Sequence, residues 1–161
     1  MTTARVGIGY DSHRFAAGRR LVLGGVEIEH DRGLEGHSDA DALAHAIIDA
    51  VLGAAGLGDL GRLFPPDTST PSGVDSRDLL AAVLARLADA GWRPIGLDLT
   101  IVAARPRLGD ALDAMRASIA TLLGLAPEAV SVKASTGNLD GSEGAGRSIS
   151  TLALATIERR A

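Results

Sequence analysis

Val6-Gly7-Ile8-Gly9-Tyr10-Asp11-Ser12-His13 opens as a short strand over Val6 to Tyr10 and runs straight into two side chains able to bind a metal. Successive side chains of a strand leave opposite faces, so Asp11 and His13, two apart, share a face if the strand carries on. A second polar cluster follows at His37-Ser38-Asp39-Ala40-Asp41, and His45 lies in the apolar run just beyond it. Ala42, Ala46, Ile47, Ala50, Val51 and Ala54 recur at helical spacing, which predicts a helix to about Ala55, stopped by Gly56 and Gly58. Ser38, three residues before Asp41, is read as a cap for that helix. The helix would carry the His45 imidazole to the end of the first strand. Two imidazoles and one carboxylate suit zinc and leave a fourth tetrahedral position open to a substrate. The plain alternative is a turn at Asp11–His13 and an ordinary helix histidine. Asp41, four residues before His45 on one helix face, is a rival ligand.

Leu21-Val22-Leu23 and Val26-Glu27-Ile28 flank Gly24-Gly25 and predict a hairpin. Residues 59–73 are rich in Gly, Pro, Asp, Ser and Thr and form a long candidate lid. Asp75-Ser76 caps a second helix with an apolar stripe at Leu79, Leu80, Val83, Leu84 and Leu87, ending near Gly91. Ile95, Leu97, Leu99 and Ile101 alternate with polar residues as in a half-buried strand, and Pro106 breaks it. A third helix from Asp110 to Leu123, a strand from Val130 to Ala134, a glycine-rich loop from Gly137 to Gly146 and a last alternating stretch through Ile157 complete the chain. Long helices between single strands predict an α/β (α+β) fold: one domain over residues 1–161, with one mixed sheet covered by helices on one face.

The chain has 161 residues, 46% of them apolar, yet only one Trp, one Tyr and two Phe. So apolar a chain is expected to hide surface in an oligomer. It has no cysteine, which excludes disulfides, iron–sulfur clusters and thiolate zinc sites. A net charge of −4, with scattered basic residues, argues against nucleic-acid binding. The stretch Met1-Thr2-Thr3-Ala4-Arg5 lacks a secretory apolar core, and no run is long enough to span a membrane, so the expectation is a cytoplasmic protein with no membrane partner.

Taken in order, Arg5 to His13, Leu23-Gly24-Gly25-Val26, Gly36 to His45, Gly56 to Gly61 with Leu63-Phe64-Pro65, and Asp75-Ser76 resemble the 2-C-methyl-D-erythritol 2,4-cyclodiphosphate synthases of non-mevalonate isoprenoid synthesis. The resemblance implies a homotrimer, sheets inward and helices outward, with active sites between subunits. It implies a cytidine diphosphate ester as substrate, whose own 2-phosphate attacks the β-phosphorus and releases CMP. It places zinc, one per subunit, on Asp11, His13 and His45, and a second divalent ion, Mg²⁺ or Mn²⁺, on the substrate phosphates. His37 and Thr136 fall on the transition-state stabilisers, and Ser38 on a phosphate grip. Asp59 and Gly61 match the ribose turn, while Ala103, Pro106, Arg107 and Leu108 match the cytosine pocket, Arg107 in a usual lysine place. Ser12, Phe64, Asp67, Ser135 and Asn138 fall among the remaining substrate-contacting positions. Asp39 and Asp41 are read as groups that support the helix start and the ligands rather than bind zinc.

The chain departs from the family pattern in two loops. After Phe64-Pro65 the usual aromatic and lysine are missing. In the last loop the acidic ligand of the second metal becomes Asn138, for which Asp140 or Glu143 is a substitute. Ala145 and Leu152 stand where an arginine and a glutamate line the family's central channel, so the resemblance does not extend to isoprenoid diphosphate binding there. Two other functions use the same residues. One is a zinc phosphoesterase that activates water. The other is a trimeric paralogue that binds cytidine nucleotides without turnover.

Overall fold

The computed structural model describes residues 3–160; Met1, Thr2 and Ala161, and with them part of the N-terminal stretch read above, lie outside them. The first strand is far longer than its apolar core: β1 runs Ala4–Ala17. Its polar second half is held by partners, since β1 pairs antiparallel with the last strand from Ala4↔Glu158 to Arg14↔Ser148 and then with a short strand through Phe15↔Leu34. Asp11 and His13 therefore sit within a strand and not in a turn.

The remaining elements are β2 (Leu21–Leu23), β3 (Val26–Ile28), β4 (Arg32–Leu34), α1 (Ala42–Ala55), α2 (Leu60–Leu63), α3 (Ser76–Asp89), β5 (Trp92–Val102), α4 (Leu112–Leu123), β6 (Val130–Ser135), α5 (Gly141–Gly144) and β7 (Ser148–Arg159). Five strands form a mixed sheet in the order β4-β1-β7-β5-β6, parallel only between β5 and β6. Contrary to the expected single sheet, β2 and β3 form a separate two-stranded sheet. Their turn is anchored elsewhere: the amides of Gly24 and Gly25, both at positive φ, donate to the Asp41 carboxylate at 2.8 and 2.7 Å.

The same carboxylate accepts from the Ala44 amide at 3.0 Å, so Asp41, and not Ser38, caps α1. Ser38 sits too far upstream and instead accepts from the Ala40 amide. Burial pushes the Asp41 carboxyl up from its ordinary range, against the pull of the three amides. The lid segment holds the short helix α2, capped by Asp59. A 3₁₀ turn at Gly109–Ala111 precedes α4, and the glycine-rich loop contains a 3₁₀ turn and α5.

Helix α1 packs on β1 and β7 on one side and on α3 on the other, which is why nearly all its residues are buried. The approach to β1 leaves no space for side chains. A Cβ on Gly7 would lie 2.1 Å from the Ala50 carbonyl oxygen, and one on Gly9 would lie 1.9 Å from that of Ala46. The opposite face of the same strands is apolar and bare: Val6, Ile8 and Tyr10 are 60%, 67% and 57% exposed, beside Leu152 and Leu154 at 43% and 41%. The register sets Ile8 against Leu154 and Tyr10 against Leu152, so these side chains form one continuous patch.

Gly9→Ala is expected to lower the unfolding free energy by about 3 kcal/mol, since backbone must move to admit the methyl. Gly53→Ala, on an α1 position with nothing within 4 Å, is expected to raise it by about 0.5–1 kcal/mol. Asp41→Ala, which leaves three buried amides without an acceptor, should cost about 3 kcal/mol. Urea titrations of the three variants against the parent protein check these values.

Candidate metal centre and active-site cavity

Along the glycine contact, α1 and β1 keep step. Two strand residues advance about 6.8 Å and four helix residues about 6 Å, so the line Gly7–Ala50, Gly9–Ala46 leads on to Asp11 and the first turn of α1. His45 occupies that turn. Its Nδ1 lies 3.0 Å from Asp11 Oδ2, His13 Nε2 lies 2.7 Å from the same oxygen, and the two nitrogens are 3.2 Å apart. Asp11, His13 and His45 thus bring three ligand atoms together within 4.8 Å.

The protons on these rings are assigned by what lies behind them. His13 Nδ1 is 2.5 Å from the Glu35 carbonyl oxygen, which can only accept, so Nδ1 carries hydrogen and Nε2 turns a lone pair inward. His45 Nε2 faces the hydroxyls of Ser38 and Ser76 at 3.1 and 3.0 Å, which leaves its Nδ1 as the inward atom. Two lone pairs and a carboxylate oxygen converge with no donor of their own between them. Such a set calls for a cation, and a small spreading of the three atoms would bring them to the roughly 3.3 Å separations of ligands about 2.0–2.1 Å from one tetrahedral ion. When protons rather than a cation occupy the inward ring nitrogens, burial alone would raise the Asp11 carboxyl, but hydrogen bonds from His13 and His45 outweigh it and hold the group well below the usual carboxylate range. For His13, burial lowers the imidazole and the Asp11 carboxylate more than restores it, leaving it raised. Asp41 is no rival ligand, because its oxygens are taken by Gly24, Gly25 and Ala44.

The triad opens into a cavity of about 220 Å³ whose lining also includes His37, Ser38, Gly61, Phe64 and Thr70. His37 donates from Nε2 to the Thr70 carbonyl at 2.6 Å, tying the candidate lid to the start of α1. Asp67 lines a more open hollow that shares His37 and Thr70 with the metal cavity. Asp59 serves the lid from outside the cavity, accepting from the Arg62 amide at 3.0 Å.

A second group gathers where β5 and β6 end, at the same end of the strands as the triad but across β7 from it, since Thr151 pairs with both Asp11 and Ile101. Ala103, Pro106, Arg107, Leu108, Ser135 and Thr136 line one hollow, and Arg107 and Thr136 also line an adjoining space of about 540 Å³ with Arg105, Leu139 and Ala145. Among the described residues, none lines both this region and the metal cavity. Besides Asp59 and Asp67, two further expected site residues line neither region. Ser12 is on the face of β1 opposite Asp11 and His13, where its hydroxyl oxygen lies 2.8 Å from that of Ser150. Asn138 sits at φ 56° in the exposed 3₁₀ turn. The Ser150 hydroxyl donates to the Glu143 carboxylate in the same loop.

Ser76 is the site residue that the sequence reading passed over. It was visible only as the first residue of a helix, and its partnership with His45 needs α3 to lie against α1.

The YgbB family pattern matches residues 4–158. A curated relative from Symbiobacterium thermophilum, named 2-C-methyl-D-erythritol 2,4-cyclodiphosphate synthase, is 51% identical over 155 residues, covering 96% of this chain and 99% of its own. Among solved structures, the bifunctional IspDF of Campylobacter jejuni superposes with a TM-score of 0.94 at 35% identity, over 99% of this chain and 43% of that one. The CDP complex of IspF from Plasmodium falciparum gives 0.86 at 27% identity over 100% of this chain and 99% of that one. Matched over almost its whole length in both sequence and fold, the chain belongs to the YgbB family.

Proposed function

We propose that this chain is a cyclising phosphorus–oxygen lyase that converts 4-diphosphocytidyl-2-C-methyl-D-erythritol 2-phosphate to 2-C-methyl-D-erythritol 2,4-cyclodiphosphate and CMP. The observation that carries this reading is the convergence of Asp11, His13 and His45 on one point at the edge of a cavity, in a chain of this family. An oxygen of the 2-phosphate bonds to the β-phosphorus while the bond from that phosphorus to the oxygen bridging to CMP breaks. The electron pair leaves with CMP, and no water enters.

Two anions must be held together and in line, so positioning and charge neutralisation matter more than a strong base. When bound, zinc on the triad and a second ion, Mg²⁺ or Mn²⁺, supply Lewis-acid neutralisation for the diphosphate and for the departing CMP. Ser38 and His37 lie beside the triad in the same cavity and are assigned to the phosphates, His37 to the charge that builds up during transfer. Thr136 has the matching role in the second region, where Arg107 supplies positive charge and Ala103, Pro106, Leu108 and Ser135 surround the base. Gly61 and Phe64 close the metal cavity beside the sugar, with Asp59 and Asp67 on the lid.

The two regions share no lining residue among those described, and in this reading each is completed by the other region of a neighbouring subunit, in a homotrimer with active sites at its interfaces. The bare apolar face of Val6, Ile8, Tyr10, Leu152 and Leu154 is the surface such an assembly would cover. Residues 1–161 act as one catalytic unit in this reading, and its place of work is the cytoplasm.

With Zn²⁺ and Mg²⁺ present, the authentic substrate is expected to yield CMP and the cyclic diphosphate in equal amounts. Linear phosphates would identify a hydrolase, and an absence of CMP a binding protein. His45→Ala is expected to remove the bound zinc and lower turnover by more than about 100-fold, since even the outer partners of a ligand are commonly worth that much. Metal analysis and CMP assay of the purified variant check both effects.

A further inference from the structure

We infer that Asp39 and Ser76 act as positioning residues that fix the ring of His45 in the one tautomer able to bind the metal. This inference rests on the zinc reading above, and it gives Ser76 a part in the site and Asp39 a specific one. Ser76 is fully buried as the first residue of α3. Its hydroxyl donates to Asp39 Oδ1 through a short hydrogen bond, and its amide donates to Asp39 Oδ2 at 3.2 Å. A serine hydroxyl has one hydrogen. With that hydrogen given to the carboxylate, Ser76 Oγ meets His45 Nε2 at 3.0 Å as an acceptor only. His45 must then carry its proton on Nε2 and turn the Nδ1 lone pair toward Asp11 and His13.

Ser38 supports the same assignment. Its oxygen lies 3.1 Å from His45 Nε2 and already accepts from the Ala40 amide at 3.0 Å. If the Ser38 hydroxyl instead donated to Nε2, lone pairs of Ser76 and of the ring would face each other in a buried site. The consistent network leaves the Ser38 hydrogen free to point toward a ligand in the cavity. Asp39 is itself held firmly: its Oδ1 accepts from the Asp41 amide at 3.2 Å and its own amide donates to the Val74 carbonyl at 3.0 Å. The relay therefore ties the start of α3 to the start of α1 and aims the imidazole between them. A carboxylate behind a ligand histidine orients the ring and raises its basicity, and here a hydroxyl is interposed.

Two measurements test the relay. In metal-free wild-type protein labelled with ¹⁵N on histidine, the His45 Nε2 resonance is expected in the protonated, pyrrole-like range; a pyridine-like Nε2 would overturn the inference. In chelator competition, Ser76→Ala is expected to bind Zn²⁺ roughly 10–100-fold more weakly than wild type, with recovery in Ser76→Thr, which keeps the hydroxyl. Equal affinity in Ser76→Ala and wild type overturns the relay while leaving the zinc reading intact. Wild-type protein that takes up no Zn²⁺ overturns the zinc reading, and the resonance still decides the tautomer.

Discussion

The contact between α1 and β1 at Gly7 and Gly9 admits no β-carbon, and the position of every ligand follows from it. With backbone against backbone, the helix cannot slide or roll without a clash, so its first turn stops over Asp11 and His13. A looser interface filled by leucines would tolerate several offsets, each moving His45 by an ångström or more. The high alanine content of α1 is the other half of this arrangement, because Ala46, Ala50 and Ala54 are what meet the two glycines. The scarcity of aromatic side chains in the whole chain fits such close packing.

Around that contact the start of α1 is unusually crowded with purpose. Within four residues Ser38 faces the cavity, Asp39 reaches α3, Ala40 adopts a left-handed φ of 59° and Asp41 secures both the helix and the β2–β3 turn. A non-glycine residue in that conformation costs about 1 kcal/mol or more, and here the surrounding hydrogen bonds hold it in place. The strain lets the polar side chains of Ser38, Asp39 and Asp41 diverge toward the cavity, α3 and the β2–β3 turn, which a regular helix or strand would not allow.

The three long helices and the hairpin were legible in the sequence because each rests on local periodicity or turn residues, whereas the order of the strands in the sheet rests on pairing between distant segments and was not. Helix α1 ends at Gly56 as read, and Asp75 caps α3 as read. The length of β1 was not legible, since Asp11 to Arg14 look like turn residues until β7 is known to run beside them. The cap of α1 was misplaced for a related reason: Ser38 and Asp41 are both good caps, and only the distant Gly24 and Gly25 amides decide between them. The triad itself was readable as a set of residue types at suggestive spacings. The tautomers were not, because they depend on the Glu35 carbonyl and on Ser76, which reach the rings only through tertiary packing.

The metal cavity and the Arg107–Thr136 region share no lining residue among those described, so in the proposed trimer a single chain would carry two half-sites facing different neighbours. Damage to one half leaves the other whole. In the proposed ring of three, a copy crippled at its imidazoles and a copy crippled at Thr136 would still meet at one intact junction. Mixed assemblies of two inactive chains would thus regain part of the lost turnover, a form of complementation closed to enzymes whose machinery lies within one polypeptide.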